Sequence, residues 1–150
     1  GSEMCIRDSN IATDVDGYVY VADRENHRVQ VFNSAGRYET QWVNMHRPSA
    51  LYVSADQHVS VGELGAEMEV NRIVPNIGPR ISIYNTDGDR LAHLGLPGYG
   101  FDVGQFIAPH SICVDSEENI YLGEVDWTYS RSLDQPRDDV RSIQKLIKKT

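Results

Sequence analysis

DVDGYVYVADRENHRVQVFNSAGRYETQW, residues 14–42, contains three short apolar runs, Val19–Ala22, Val29–Phe32 and Tyr38–Trp42, separated by Asp/Asn/Gly-rich punctuation. Each run is rich in β-branched and aromatic side chains and alternates in polarity, the pattern of strands with one buried face. Asp16-Gly17 and Ser34-Ala35-Gly36 supply the turn chemistry between them. With Ile11–Asp14 ahead of these runs, the segment reads as a four-stranded antiparallel meander. An acid, Asp23, closes its second strand, and an arginine, Arg28, opens its third.

That pair of marks recurs as Glu63 with Arg80 and as Glu124 with Arg141. Counting back nine residues from each acid gives Asp14, Ser54 and Asp115, and counting back fourteen gives Ser9, Ser49 and His110, without a gap. Self-similarity at a fixed spacing signals a repeat architecture. The second copy supplies Leu51–Val53, Val59–Val61, Ile81–Tyr84 and Leu91–Leu94, and the third supplies Ile112–Val114, Ile120–Leu122 and Ile143–Ile147. Val140–Lys149 is the one stretch with some helical period, and the repeat register favours strand there. Four strands in roughly 45 residues is the size of a propeller blade. The expected fold is therefore all-β, a β-propeller fragment of about three four-stranded blades.

The expected divisions are 10–46 for the first blade, 47–104 for the second with a long inter-strand loop at 64–79, and 105–150 for the third with a long loop at 125–140. Residues 1–9 lie outside the repeat. Met-Cys-Ile-Arg-Asp-Ser within them resembles the translation of a sequencing-adapter oligonucleotide, and Asp8-Ser9 stands where the other copies have Pro48-Ser49 and Pro109-His110. The segment 1–9 is therefore expected to be non-native, and the alternative is a natural coil leading into the first strand. A ring needs at least four blades, so the missing half of the propeller is itself an expected partner.

Composition narrows the function classes. Fourteen basic residues against 22 acidic ones leave a net charge of −8, without the basic face that nucleic acid or an anionic membrane surface requires. The cluster Lys145, Lys148 and Lys149 reads as a solvated tail. No apolar run approaches the roughly 20 residues of a membrane span. Of the two cysteines, Cys5 lies in the doubtful segment and Cys113 in an innermost strand, where a buried, inert thiol is expected.

Residues 14–42 resemble an NHL repeat, a blade motif of six-bladed β-propellers. The three copies in order, ending in FIAPHSICVDSEENIYLGEV at residues 106–125, more narrowly resemble the C-terminal half of the peptidyl-α-hydroxyglycine α-amidating lyase family. The likeness covers residues 10–150. It implies a six-bladed ring and a zinc-dependent cleavage of a C–N bond that yields a peptide amide and glyoxylate. It also implies a secreted or periplasmic setting, although the sequence leaves the compartment unknown.

His110 carries the metal reading. It follows Pro109, whose fixed φ aims the next residue, and it stands just ahead of an innermost strand, where side chains of different blades meet around the channel. Alternate blades of a sixfold ring are about 120° apart, so three histidines could form a facial set with one open position, as a catalytic zinc requires. By the resemblance His110 is the last of three such ligands. The zinc site is incomplete in this chain, because Ser9 stands two blades earlier, where the preceding ligand is expected; the intervening blade should carry no ligand, and it offers Ser49. A calcium site is doubtful, since Ser111 stands where the family has an acid. The structural alternative for His110 is a hydrogen-bonded wall residue. His46, close to Pro48-Ser49, is a weaker second candidate, and His27 belongs to the Asn26-His27-Arg28 turn.

Arg24 follows an acid that recurs, yet its own counterparts are Leu64 and Val125, so the repeat does not account for it. It matches an active-site arginine of the resembled family, where a guanidinium can fork onto a substrate carboxylate. The alternative is an ion pair with Glu25 or Asp23. Arg28, Arg80 and Arg141 are each expected to pair with the acid of their own hairpin. In the long loops, Trp127, Tyr129 and Arg131 could wall a substrate cleft, and Glu67, Glu69 and Arg72 could add charge. Their alternative is variable surface.

Two function classes follow. One is the lyase, acting on a small-molecule or peptide substrate, with this fragment inactive by itself because two ligands and the family's tyrosine base lie outside it. The other is a noncatalytic NHL propeller that holds a protein or peptide.

Overall fold

The computed structural model describes residues 10–65, 78–130 and 139–149, without the side chains of Thr128 and Tyr129. The described residues form three antiparallel sheets, three blades of a β-propeller. β1 (Ile11–Thr13), β2 (Val19–Asp23), β3 (Arg28–Phe32) and β4 (Tyr38–Trp42) make the first in the order β1-β2-β3-β4. β5 (Pro48–Val53), β6 (Val59–Glu63), β7 (Arg80–Tyr84) and β8 (Arg90–Leu94) repeat that order, and β9 (Pro109–Val114), β10 (Ile120–Glu124) and β11 (Ile143–Leu146) form the third sheet. A five-residue helix, α1 (Asp126–Ser130), follows β10. Among the described residues no helix is long and apolar enough to cross a membrane.

The tight turns close on side chains as the sequence indicates. The Asp14 carboxylate accepts the backbone N–H groups of Asp16 and Tyr18 and, at 2.8 Å, the Tyr20 hydroxyl. Asp115 does the same in the third blade for Glu117, Asn119 and the Tyr121 hydroxyl. Short polar side chains that mimic a backbone turn are the reason such positions favour Asp, Asn and Ser.

The blades pack through their innermost strands. β5 lies against β1 and β2, and β9 against β5 and β6. Between the first two blades Trp42 sits 5.3 Å from the Tyr20 ring and stacks on Tyr84 at 5.6 Å and 24°. Val29, Val59 and Val61 complete this fully buried seam. Ile81, Phe106 and Leu122 fill the next one. Gly62 permits the close approach there: a Cβ on it would lie 2.9 Å from Ala50 Cβ and 3.3 Å from Pro109 Cβ.

Two of the recurring acids, Glu63 and Glu124, are buried and hold their blades to the segments that enter them. Glu63 accepts the His46 N–H at 2.7 Å, the Arg80 guanidinium at 2.9 Å and the Ser82 hydroxyl. Glu124 accepts the N–H groups of Ile107 and Ala108 at 2.7 and 3.0 Å and the Gln144 amide. These contacts extend β5 and β9 forward to Pro48 and Pro109, three residues earlier than the apolar runs suggest. Asp23, shorter and half-buried, pairs with Arg28 at 2.8 Å.

Two expectations are corrected. Arg141 does not join Glu124; its guanidinium donates to the carbonyls of Phe101 and Asp102. Cys113 is exposed rather than buried, because the side of β9 that carries it receives no packing from the described residues.

Candidate functional site

The segments joining second to third strands and those entering the innermost strands lie at one end of the blades, and Arg24, His46, His110 and Trp127 fall there. The first blade contributes a 3-10 turn, Arg24–Asn26, closed by His27 in the left-handed conformation at φ 56°. Arg24 places its Nε 2.8 Å from the Glu25 carboxylate, and Arg47, buried on the next segment, reaches the same oxygen at 2.8 Å. Burial works to raise the Glu25 carboxyl, but the hydrogen bonds from Arg47 and Arg24 outweigh it and hold the group below the usual carboxylate range.

His46 and His27 close the same seam, their rings 4.9 Å apart. His46 is buried, with Nδ1 2.8 Å from the Leu64 carbonyl. A carbonyl can only accept, so Nδ1 carries the proton and the neutral ring's lone pair sits on Nε2. Burial lowers the His46 pKa, the Leu64 carbonyl partly opposes this, and His27 and Arg47 add to the lowering. His27 Nδ1 accepts the Arg47 N–H at 3.3 Å. His27 thus ties the first blade to the segment that enters the second, and His46 ties that segment to the end of β6.

Ser49 and His110, equivalent in the repeat, stand at the starts of β5 and β9. The Ser49 hydroxyl donates to the Pro109 carbonyl, so the two strand starts touch across the blades. His110 is half-buried beside that contact. The structure therefore puts the His110 backbone at the inner edge of the third blade, while Arg24 and His46 group at the seam of the first two. Among the described residues no three His, Cys, Asp or Glu side chains come together to hold a metal ion. The residues described thus supply one imidazole at the inner edge, not the three-nitrogen set that a catalytic zinc requires.

The sequence reading missed Asp126. Its side chain is 2 % exposed at the start of α1, and its Oδ1 is buried without a hydrogen-bond partner. Burial foremost, and then the charge of Glu124, push its pKa up to about 7, with Arg141 pulling the other way. A buried carboxyl group poised near neutrality is chemically suited to move a proton. Only the length of the 125–140 loop hinted at it. On the same helix Trp127 is half-exposed. The Tyr129 side chain and Arg131 lie outside the described residues, as do Glu67, Glu69, Arg72 and residues 1–9.

Residues 9–32 match the NHL repeat. Virginiamycin B lyase from Staphylococcus aureus is similar in structure, with a TM-score of 0.54 to 0.56 spanning it and one other protein; its own value is 0.56, at 16% identity, over 93% of this chain and 41% of that one. The other is Kuenenia stuttgartiensis hydrazine synthase, at TM-score 0.54 and 13% identity, over 75% of this chain and 28% of that one. The chain thus spans less than half the length of either protein, and at these identities the likeness concerns the fold.

Proposed function

We propose that the end of the propeller bearing Arg24, His46, His110 and Asp126 is a ligand-binding face. In the complete protein, read as a six-bladed ring, His110 is one ligand of a zinc site, and the protein is a lyase of the amidating type acting on a peptide or small substrate. The observation that carries this reading is the place of His110: half-buried at the start of an innermost strand, beside the Ser49 to Pro109 contact that joins neighbouring blades. Zinc would supply Lewis acidity toward a substrate hydroxyl. This chain's own residues would orient and exclude: Trp127 offers an aromatic wall, and Asp126 offers a carboxyl that exchanges a proton near neutral pH.

A second reading is favoured by Arg24. Its guanidinium is engaged by Glu25, which also holds buried Arg47. An arginine fastened in this way acts as a structural clasp, as expected of a noncatalytic scaffold that holds a peptide or protein. Metal analysis of the full-length protein separates the two. About one zinc per chain, lost in His110→Ala, supports the lyase. A metal-free full-length protein would overturn it in favour of the scaffold.

A further inference from the structure

The second blade carries an open cleft of about 580 Å³ along β8, bounded by the start of β7 and by the turn that leaves β8. Arg80, Arg90 and His93 line it together with Leu96, Pro97 and Gly98. On a chain with net charge −8 this concentration of cationic side chains goes against the overall balance.

The charges are not equivalent. Arg80 is paired with buried Glu63 at 2.9 Å, so that couple is neutral. Arg90 is exposed and has no ion pair among the described residues, so that among the described lining residues its positive charge is the unpaired one. His93 is set by its neighbours. The Ser82 hydroxyl donates to Glu63, so at its 2.8 Å contact with His93 it accepts from Nδ1–H. The ring nitrogen left for a ligand is then Nε2, an acceptor. Burial, and after it the charges of Arg80 and Arg90, lower the His93 pKa, with Glu63 pulling the other way.

A cleft with one cation, one acceptor and the exposed apolar side chains of Leu96 and Pro97 selects for matching chemistry. We propose that it binds a monocarboxylate with an adjacent N–H donor and an apolar side chain, the class of N-acylated amino acids. Arg90 takes the carboxylate, His93 Nε2 accepts the N–H, and Leu96 and Pro97 cover the side chain. A dianionic phosphate is a poorer match for a single net charge.

The test titrates the protein with N-acetyl-leucine by calorimetry. Saturable binding in the millimolar range is expected. It should weaken at least tenfold in Arg90→Gln, since a charge-assisted hydrogen bond is worth about 1.5–3 kcal/mol. N-acetyl-leucinamide, which lacks the carboxylate, should weaken to a similar degree on the unmodified protein, so the result does not depend on one variant. 4-Methylpentanoate, which lacks the N–H, should bind severalfold more weakly, and that preference should vanish in His93→Ala. No saturation by about 10 mM, or affinity unchanged in Arg90→Gln and with the amide, overturns the proposal.

Discussion

Ser142, not Arg141, stands across the third hairpin from Glu124. The pairing Gly123 with Ile143 continues by one residue, and the Glu124 N–H donates to the Ser142 carbonyl at 2.9 Å. In the second blade the residue opposite Glu63 is Arg80 itself. The returning strand is therefore one residue out of step with the gapless sequence register, and a slip of one residue sends alternate side chains to opposite faces. Gln144 takes the place that Ser82 holds in the second blade, each two residues beyond the one opposite the acid. Gln144→Ala should destabilise the protein by about 1–3 kcal/mol, because it leaves a buried carboxylate oxygen without its donor. Arg141→Ala, at an exposed residue bound to two carbonyls, should cost less than about 1 kcal/mol. Urea unfolding of the two variants reads the difference, and the reverse ranking would contradict the assigned register.

The same comparison shows what sequence can reveal. Strands and tight turns were legible because alternation of polarity and short Asp, Asn and Ser turns are local properties. His110 could be placed at a strand start from its spacing to Glu124 alone. The slip at Arg141 was not legible, since matching loop lengths conceal a strand that returns one residue later. Nor was the clasp of Arg24, Glu25 and Arg47, whose last member lies 22 residues beyond Glu25. Asp126 was hidden because a five-residue helix shows no period. Cys113 was misread because alternation tells which face a side chain takes, not whether anything covers that face.

Asp126 should make stability fall as pH rises. Its pKa is about 7 in the folded protein and roughly 3.9 in an unfolded chain, so between these values the folded state binds more protons. The stabilising contribution is complete below about pH 4 and is lost as pH rises through 7. Asp126→Asn carries no such proton. Measured by urea unfolding at pH 5 and pH 8, the variant should gain about 2–4 kcal/mol on the wild type over that interval. Parallel pH profiles for the two proteins would show that Asp126 ionises normally.

Equivalent acids of the repeat should differ sharply in cost. Glu63 is fully buried and holds the His46 N–H, Arg80 and the Ser82 hydroxyl. Glu63→Ala leaves buried donors unsatisfied and removes the charge that compensates Arg80, a loss of about 3–5 kcal/mol. Asp23 and Arg28 pair with side chains 23% and 31% exposed, where water replaces much of what is lost. Asp23→Ala should cost about 1 kcal/mol. Equal losses in chemical denaturation would mean that burial does not set the value of these acids.

Gly88 belongs to the turn between β7 and β8 yet governs the seam with the first blade. Its φ of +90° is one that side-chain-bearing residues avoid, and a Cβ there would lie 2.4 Å from the Trp42 indole nitrogen. Gly88→Ala therefore strains the turn and displaces the ring that stacks on Tyr84. A clash with a large buried ring cannot relax as it would against the tip of a flexible side chain. The expected loss is about 2–4 kcal/mol, strain and disturbed packing together. Gly36, also at positive φ but with open space around its Cβ position, provides the control. Gly36→Ala should cost only the backbone term, about 1 kcal/mol. Trp42 fluorescence should shift toward a more solvated indole in Gly88→Ala and stay unchanged in Gly36→Ala; an unshifted spectrum in the first would mean that the seam does not depend on this glycine.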